Sequence, residues 1–310
     1  MDLRSDARLA AAECSLFPSS SPFISRNVLP WCLTNTALAA AIHYYGNEYA
    51  NFITASDKGH MFMSLSVSYL LVTRTNICLN RYMAQRSGLN DVVRSCKELV
   101  GHAVTFTRMK HKTEDDRRWR RSVAKRTISL LKTIVAVMKY PSSKQHVWEM
   151  EDIEEEDKLA AQIAVGKSNE RSPLVLVLFI RSVICSHIHK LSSPLEVVQE
   201  LQLMQNTTDI ISAYTDIMIF LTTPYPFPLV QMTRTILFFY IFTLPFALAS
   251  DIQEIIPFLF TIFFITYGFI GLELIAIEID DPFGTDPNDF DVGSIAKVSS
   301  IGIFSLLPSF

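Results

Sequence analysis

Two long apolar segments in the last third of the chain limit most strongly what it can fold into. Residues 235–250 and 255–272 carry no formal charge, and only Asp251-Ile252-Gln253-Glu254 separates them. An uncharged run of 18 residues, such as 255–272, is long enough to cross a bilayer as a helix. Because backbone polar groups in lipid must bond to one another, we predict a tight helical hairpin within a membrane.

Two earlier segments extend this pattern. Residues 28–47 are also uncharged and about as long as one bilayer crossing, and residues 59–73 form a shorter uncharged stretch. The shorter stretch, taken alone, fits a buried core helix nearly as well. Charged residues make up 19% of the chain, against roughly 25% in soluble domains. We therefore predict an all-α membrane protein with four transmembrane helices and a cytosolic helical domain.

Lysine and arginine in the short flanks predict the orientation. They are frequent after the second apolar segment and absent from the hairpin tip. We expect both termini and the charged middle on one side, the cytoplasm or a plastid stroma, in a plasma or thylakoid membrane. The predicted divisions are an N-terminal cytosolic segment at 1–27, transmembrane helices 1 and 2 at 28–80, a cytosolic helical region at 81–222, transmembrane helices 3 and 4 at 223–279, and an acidic motif with a tail at 280–310.

The middle of the chain is amphipathic and charged. It contains a basic run at 108–126 and an acidic run at 148–158. Such runs are usually solvated faces, and contact of the basic run with a lipid surface is the alternative. Residues 195–220 have helical spacing, with Leu195, Val198, Leu201 and Met204 as the predicted stripe and Ser192-Ser193-Pro194 as the predicted cap and first turn. Residues 173–180 are apolar but too short to span, which predicts a buried helix start.

Catalytic and metal-binding motifs are missing from the sequence. It has no Gly-x-Ser-x-Gly, phosphate-loop, Gly-x-Gly-x-x-Gly or His-Glu-x-x-His pattern, and its five cysteines form no Cys-x-x-Cys pair. A net charge of −3 gives no basic balance that would favour nucleic acid. We expect neither an enzyme nor a nucleic-acid-binding protein, and no required cofactor.

Four charged residues lie at the ends of predicted spans: Arg74, Arg234, Glu273 and Glu278. A charge at a helix centre costs about 2.5–3.5 kcal/mol on insertion scales, so each needs an explanation. One hypothesis is snorkelling or pairing between neighbouring helices, and the other is the wall of an ion path. Position alone favours the first. The proline-rich stretch 222–234 is predicted to break the chain where a cytosolic helix meets a span.

Three stretches share a pattern with a known family. Residues 68–86 contain Arg-Thr-Asn followed seven residues on by Arg-Tyr, residues 223–248 begin Thr-Pro-Tyr-Pro, and residues 271–292 contain DDPFGTDPNDFD. Together they resemble the bestrophin and bestrophin-like anion channel family, including its bacterial and plant or algal branches. The resemblance covers most of the chain from 26 to about 297. The motif residues of the second-span stretch are Arg74, Asn76 and Arg81.

The resemblance implies a homopentamer in a lipid bilayer, with one central pore for small monovalent anions. Chloride is expected, with nitrate or bicarbonate as alternatives. The resemblance places a pore neck on Leu65, Tyr69 and Thr73, and a second constriction within 173–180. Thr73 replaces the large apolar residue usual there, which predicts a wetter neck. A non-conducting or regulatory scaffold of the same architecture stays open, as does a secondary anion transporter, although no internal repeat is visible.

The acidic stretch after the last apolar segment has two possible roles under the same resemblance. In animal members the acids of this signature bind calcium, so Asp286 and Asp289 would be side-chain ligands. Here Pro287-Asn288 stands where animal members have more acids, which is closer to the bacterial type that does not depend on calcium. In that case the two aspartates are predicted to cap the turn that starts a tail helix.

Overall fold

A computed structural model describes the chain as a set of α-helices and their connections. The described residues are 24–49, 57–108, 113–143, 162, 169–223, 226–249, 251–284 and 289–306. The α-helices within these ranges are α1 Leu29–Tyr49, α2 Asp57–Arg108, α3 Glu114–Ser143, α4 Ser172–Cys185, α5 His187–Lys190, α6 Val197–Thr222, α7 Phe227–Leu248, α8 Ile255–Glu278 and α9 Val292–Ser305. No β-strand occurs in these ranges, and the predicted all-α class is confirmed.

The chain divides into two compact units. The first comprises Met1–Leu79 and Tyr225–Ile277, and the second comprises Asn80–Pro224 and Glu278–Phe310. Helix α2 contributes residues to both. The assignment of membrane and cytosolic regions to these units stays a prediction.

Three of the described helices, α2, α7 and α8, are long and apolar enough to cross a membrane. Helix α1 covers the first predicted span but is not among these three, so its crossing stays a prediction. Helix α2 has 52 residues. At about 1.5 Å per residue it is about 78 Å long, more than twice the roughly 30 Å of a hydrocarbon core. The predicted second span is therefore the first part of a much longer helix.

The predicted hairpin is confirmed by α7 and α8, which share a buried core. Helix α7 begins at Phe227, within the predicted region 223–279 and before the uncharged run that starts at Thr235. Pro228 lies in the first turn of α7, where a missing backbone N–H removes no helical hydrogen bond. The predicted break is confirmed between the end of α6 at Thr222 and the start of α7 at Phe227, but it is shorter than 222–234 because residues 227–234 are helical.

The core of the first unit consists of apolar side chains from several helices: Ala39, Val67, Leu71, Leu237, Tyr240, Ile241, Leu244, Phe258, Ile262 and Ile270. A buried polar side chain adds directional contacts to it. Asn35 of α1 donates through Nδ2 to the carbonyl oxygen of Ile241 at 3.3 Å and to Oγ1 of Thr266 at 2.8 Å. Since unpaired polar groups are costly in an apolar interior, these bonds fix α1 against α7 and α8.

Helices α3, α4 and α6 form much of the second unit's core, and α9 packs on α3. The indole Nε1 of Trp119 donates to the carbonyl oxygen of Val183 at 2.9 Å and joins α3 to α4. Asp116 receives the backbone N–H groups of Thr113 and Ser192, each at 2.9 Å. Burial opposes ionisation of Asp116, but the hydrogen bonds from Thr113 and Ser192 outweigh it and lower the pKa of the carboxyl group.

The predicted start of the helix after residue 192 is wrong, and so is the predicted stripe on one side of it. Helix α6 begins at Val197, and Glu196 and Gln199 form its capping box. Of the predicted stripe, Val198 and Leu201 are 76% and 62% exposed. A constant spacing of three drifts around a helix of 3.6 residues per turn, so such a stripe does not stay on one face. The buried face consists of Leu203, Asn206, Thr207, Ile210, Ala213, Tyr214 and Ile217.

We predict that Gly88→Ala destabilises the second unit. A Cβ at Gly88 would lie 2.8 Å from Cγ1 of Ile217, whose side chain is buried. Overpacking of this kind costs about 1–3 kcal/mol. Gly101→Ala is the matched control on the same helix, because a Cβ there meets no atom within 4 Å. The control should gain about 0.5–1 kcal/mol from helix propensity. Thermal unfolding of the detergent-solubilised protein compares them, and equal melting temperatures would contradict the close approach.

Candidate functional site

Two of the predicted neck residues lie on one exposed face of α2. Leu65 is 61% exposed and Tyr69 is 72% exposed, whereas Thr73 is only partly exposed. At about 100° per residue, Thr73 lies about 80° from Leu65 around the helix. Val72, at 51% exposure, lies nearer the centre of the face. The structure therefore brings Leu65 and Tyr69 together and places Thr73 at the edge.

The opposite face of α2 packs into the first unit. Val67 and Leu71 are each 1% exposed, and Arg74 and Cys78 follow them on the same buried stripe at 5% and 1%. The spacing of three and four residues keeps these side chains on one side of the helix. One face of α2 is thus fixed in a core, while the face with Leu65 and Tyr69 is mostly exposed.

Arg74, Arg234 and Glu273 form one cluster of charged side chains, of which Arg74 and Glu273 are buried. Oε1 of Glu273 accepts hydrogen bonds from Nη1 of Arg74 and from Nε of Arg234, the latter at 2.7 Å. The side chains of Arg74 and Glu273 are 6% and 4% exposed, and that of Arg234 is 42% exposed. The cluster connects α2, α7 and α8. Pairing between neighbouring helices, one of the two hypotheses from the sequence, is confirmed for these three residues.

The cluster has a net positive charge, because one carboxylate faces two guanidinium groups. Oε2 of Glu273 and Nε of Arg74 are buried and have no hydrogen-bond partner among the described residues. Arg74 is directed into the unit by its carboxylate partner, so its guanidinium is not on the exposed face of Leu65 and Tyr69.

Arg81, the last residue of the second-span motif, donates hydrogen bonds to backbone carbonyl oxygens of the second unit. Its Nη2 donates to the carbonyl oxygens of Phe220 at 3.1 Å and Thr223 at 2.9 Å. These carbonyls belong to the end of α6, where backbone oxygens lack helical partners. Nε of Arg81 also lies 3.7 Å from Oδ1 of Asp280. The sequence pattern identified Arg81 but gave no sign of these carbonyl partners.

The acidic loop after α8 is closed by its own backbone and by aromatic contacts. The N–H of Phe290 donates to the carbonyl oxygen of Pro282 at 2.9 Å, and the rings of Phe290 and Phe283 are 5.7 Å apart. The ring of Phe290 also lies 4.6 Å from that of Tyr82 on α2. These contacts hold both ends of the loop in the second unit. Asp286 lies outside the described residues.

Two carboxylates of this loop approach Gly284. A Cβ at Gly284 would lie 2.8 Å from Oδ2 of Asp289 and 3.6 Å from Oδ2 of Asp281. Asp281 was not among the predicted ligands, although the sequence shows it directly before Pro282. Within the described ranges, no group of three His, Cys, Asp or Glu side chains is placed to hold a metal ion.

The predicted capping role of Asp289 is wrong. Helix α9 starts at Val292, so the residue before it, Asp291, is the N-cap. Oδ1 of Asp291 accepts from the backbone N–H of Ser294 at 3.0 Å, and Oδ2 accepts from its hydroxyl. The hydrogen bonds from the side chain and backbone of Ser294 lower the pKa of Asp291.

The apolar stretch 173–180 forms the start of α4, as predicted. Pro173, Leu176, Val177 and Ile180 are buried there. Leu174 and Leu178 point the other way, at 43% and 61% exposure. Of the leucines in this stretch, Leu178 is thus the most accessible for a constriction.

We predict that Glu273→Gln strongly destabilises the first unit, because it leaves buried Arg74 without a charged partner. Removing one partner of a buried ion pair costs about 3–5 kcal/mol. Arg234→Gln should cost less, since Arg234 is 42% exposed and Arg74 keeps its carboxylate. Glu254→Gln at the exposed hairpin tip is the control. Thermal unfolding in detergent measures all three, and a Glu273→Gln protein as stable as the control would refute the role of the cluster.

A model of one protein family matches nearly the whole chain. The family is described as Bacterial/Fungal Bestrophin protein, and the match covers residues 7–303. The fold is also similar to that of a bacterial bestrophin homologue from Klebsiella pneumoniae. That structure has a TM-score of 0.78 at 16% identity, over 91% of this chain and all of the other. At this identity the likeness establishes the fold alone.

Curated relatives add names from the same group. The chain is 33% identical over 84 residues to the voltage-dependent anion channel-forming protein YneE of Escherichia coli strain K12, an alignment that spans 27% of each protein. It is 25% identical over 257 residues to the voltage-dependent anion channel-forming protein alr2987 of Nostoc sp., covering 80% of this chain and 76% of the relative. Since the family model extends over almost the entire sequence, this chain belongs to the bacterial/fungal bestrophin family.

Proposed function

We propose that this protein is an anion-selective channel, formed by a homopentamer around a central pore that is lined by α2. The observation that supports it most is the exposed face of α2 with Leu65 and Tyr69, on a helix whose opposite face is buried in the first unit. A pore-lining helix needs such a face, because its side chains must meet ions and not the protein core. The names of the relatives agree with this function.

The charge pattern of α2 favours anions over cations. Between Lys58 and Leu79 the helix contains no aspartate or glutamate. Cation channels place rings of acidic side chains on their paths, whereas apolar rings pass ions that shed water easily. The positive edge of the Tyr69 ring is compatible with an anion as well. The net positive cluster around Glu273 adds to the potential of the first unit. We propose chloride as the main ion, with nitrate and bicarbonate as further candidates.

We propose that the neck consists of Leu65, Tyr69 and the turn that contains Val72 and Thr73. Because Val72 is more exposed than Thr73, an apolar group continues the surface formed by Leu65. Leu178 of α4 is the residue that we propose for the second constriction. The bilayer is that of the plasma membrane or a thylakoid, with both termini on the cytoplasmic or stromal side.

We propose that calcium is not required for conduction. Within the described ranges, no three His, Cys, Asp or Glu side chains are placed to hold a metal ion, whereas calcium prefers about 6–8 oxygen ligands. The backbone bond between Phe290 and Pro282 and the contact of Phe290 with Tyr82 already close the described ends of the loop.

Purified protein in planar bilayers should carry an anion current, and Leu65→Ala or Tyr69→Ala should change its conductance or selectivity. Truncation of either side chain widens the neck and removes apolar surface from it. Ile256→Ala and Phe260→Ala are matched controls on α8, with 68% and 60% exposure. These controls should conduct as the parent does. Absence of current from the assembled protein would favour the scaffold alternative, and an unaltered current in both neck variants would reject the neck.

Changing calcium from chelated to micromolar levels should leave the current unchanged. Asp289→Asn should likewise have no effect on calcium response, because the loop is held by Phe290 and Tyr82. Single-channel recording of both proteins in the two solutions provides the measurement. A calcium-dependent current that Asp289→Asn abolishes would show that the loop is a calcium site after all.

A further inference from the structure

We propose that Asn76 is an anion-coordinating residue of the channel, on the carboxyl-terminal side of the neck. This inference rests on the proposed function, because it requires the exposed face of α2 to line the pore. It assigns a ligand to that pore: a small, weakly hydrated monovalent anion bound by the side-chain amide of Asn76.

The position of Asn76 on α2 supports this role. At about 100° per residue, Asn76 lies about 20° from Leu65 and about 20° from Tyr69, between the two. It follows Tyr69 by seven residues, or about 10.5 Å along the axis. Its side chain is exposed. If Leu65 and Tyr69 face the pore, Asn76 must face it too, more directly than Thr73 does.

The side chain of Asn76 is not engaged in hydrogen bonds within the described part of the chain, in contrast to Arg74 of the same motif and to the buried asparagines. Among the described residues, none forms a hydrogen bond with it. Arg74 is engaged by Glu273. The buried amide of Asn35 donates to Ile241 and Thr266, and that of Asn206 contacts His102. Asn76 therefore keeps both amide N–H donors available on the exposed face.

The chemistry of a primary amide suits a passing anion. An ion that sheds water beside Leu65 and Tyr69 next meets N–H donors, which replace part of the lost hydration. A neutral donor binds less tightly than an arginine would, so the ion can leave again. The amide oxygen could attract a cation, but no acidic side chain lies on α2 from Lys58 to Leu79, and the nearby Glu273 cluster is positive.

The test compares Asn76→Asp, Asn76→Ala and Asn76→Ser in purified protein in planar bilayers with sodium chloride gradients. Asn76→Asp keeps the shape but replaces donors by negative charge, so chloride conductance should fall about tenfold and the reversal potential should move toward that of sodium. Asn76→Ala should lower chloride conductance without that shift. Asn76→Ser keeps one donor and should conduct more than Asn76→Ala. Gln253→Glu, an amide-to-acid change at the exposed hairpin tip, should match the parent protein.

The outcomes separate this inference from the proposed function. Parental conductance and selectivity in Asn76→Asp, together with altered current in Leu65→Ala, would overturn the role of Asn76 and leave the channel intact. If the parent protein carries no anion current, both the channel function and the role of Asn76 are overturned. If Asn76→Asp does not assemble, Asn76→Ala and Asn76→Ser decide, and equal conductance of these two with the parent overturns the inference. A change in oligomer yield with unchanged selectivity would place Asn76 in a subunit contact and also overturn it.

Discussion

The contact between Arg74 and Glu273 determines which side of α2 faces the core of the first unit. Arg74 follows Leu65 by nine residues, about 180° around the helix. Because the Glu273 carboxylate holds Arg74 in the buried interior, Leu65 must point away from that interior. The same rotation exposes Tyr69 and Asn76. A charge pair on the opposite face of α2 thereby orients the surface that the proposed pore requires.

Such a pair is better suited to orientation than to stability. Removing two charges from water costs several kcal/mol per ion, and a well-packed apolar pair would often serve stability as well or better. The orphaned Oε2 of Glu273 and Nε of Arg74 show that the cluster is not fully satisfied by described residues. What the ion pair provides is a fixed rotation of α2 about its axis. A rotation of α2 by one residue would leave the buried carboxylate of Glu273 facing apolar groups. Sharing of Glu273 with Arg234 extends the same constraint to α7.

The elements that could be predicted from the sequence are those indicated by the composition of a short continuous stretch. The α7–α8 hairpin follows from two apolar runs with a short polar link, and the buried start of α4 follows from its composition. Contacts between residues far apart in the sequence could not be predicted in the same way. The sequence placed Arg74 and Glu273 at span ends, but only the structure shows that they pair. The length of α2 was missed because apolarity ends near Thr73, while the helical backbone continues to Arg108. The cap of α9 was assigned to the wrong acid, although Asp291 stands three residues before Ser294.

The proposed neck combines a short apolar surface with one polar group in its middle and another at its carboxyl-terminal end. Leu65 and Val72 supply the apolar part, Tyr69 lies between them with a hydroxyl, and Asn76 follows with an amide. Gating by dewetting requires an uninterrupted apolar constriction, since each hydrogen-bonding group lowers the cost of keeping water there. A neck of this composition stays hydrated more easily than a ring of large apolar residues. If α2 lines the pore as proposed, this hydration favours conduction without a calcium-controlled gate, which agrees with an acidic loop whose described ends are held by Phe290 and Tyr82.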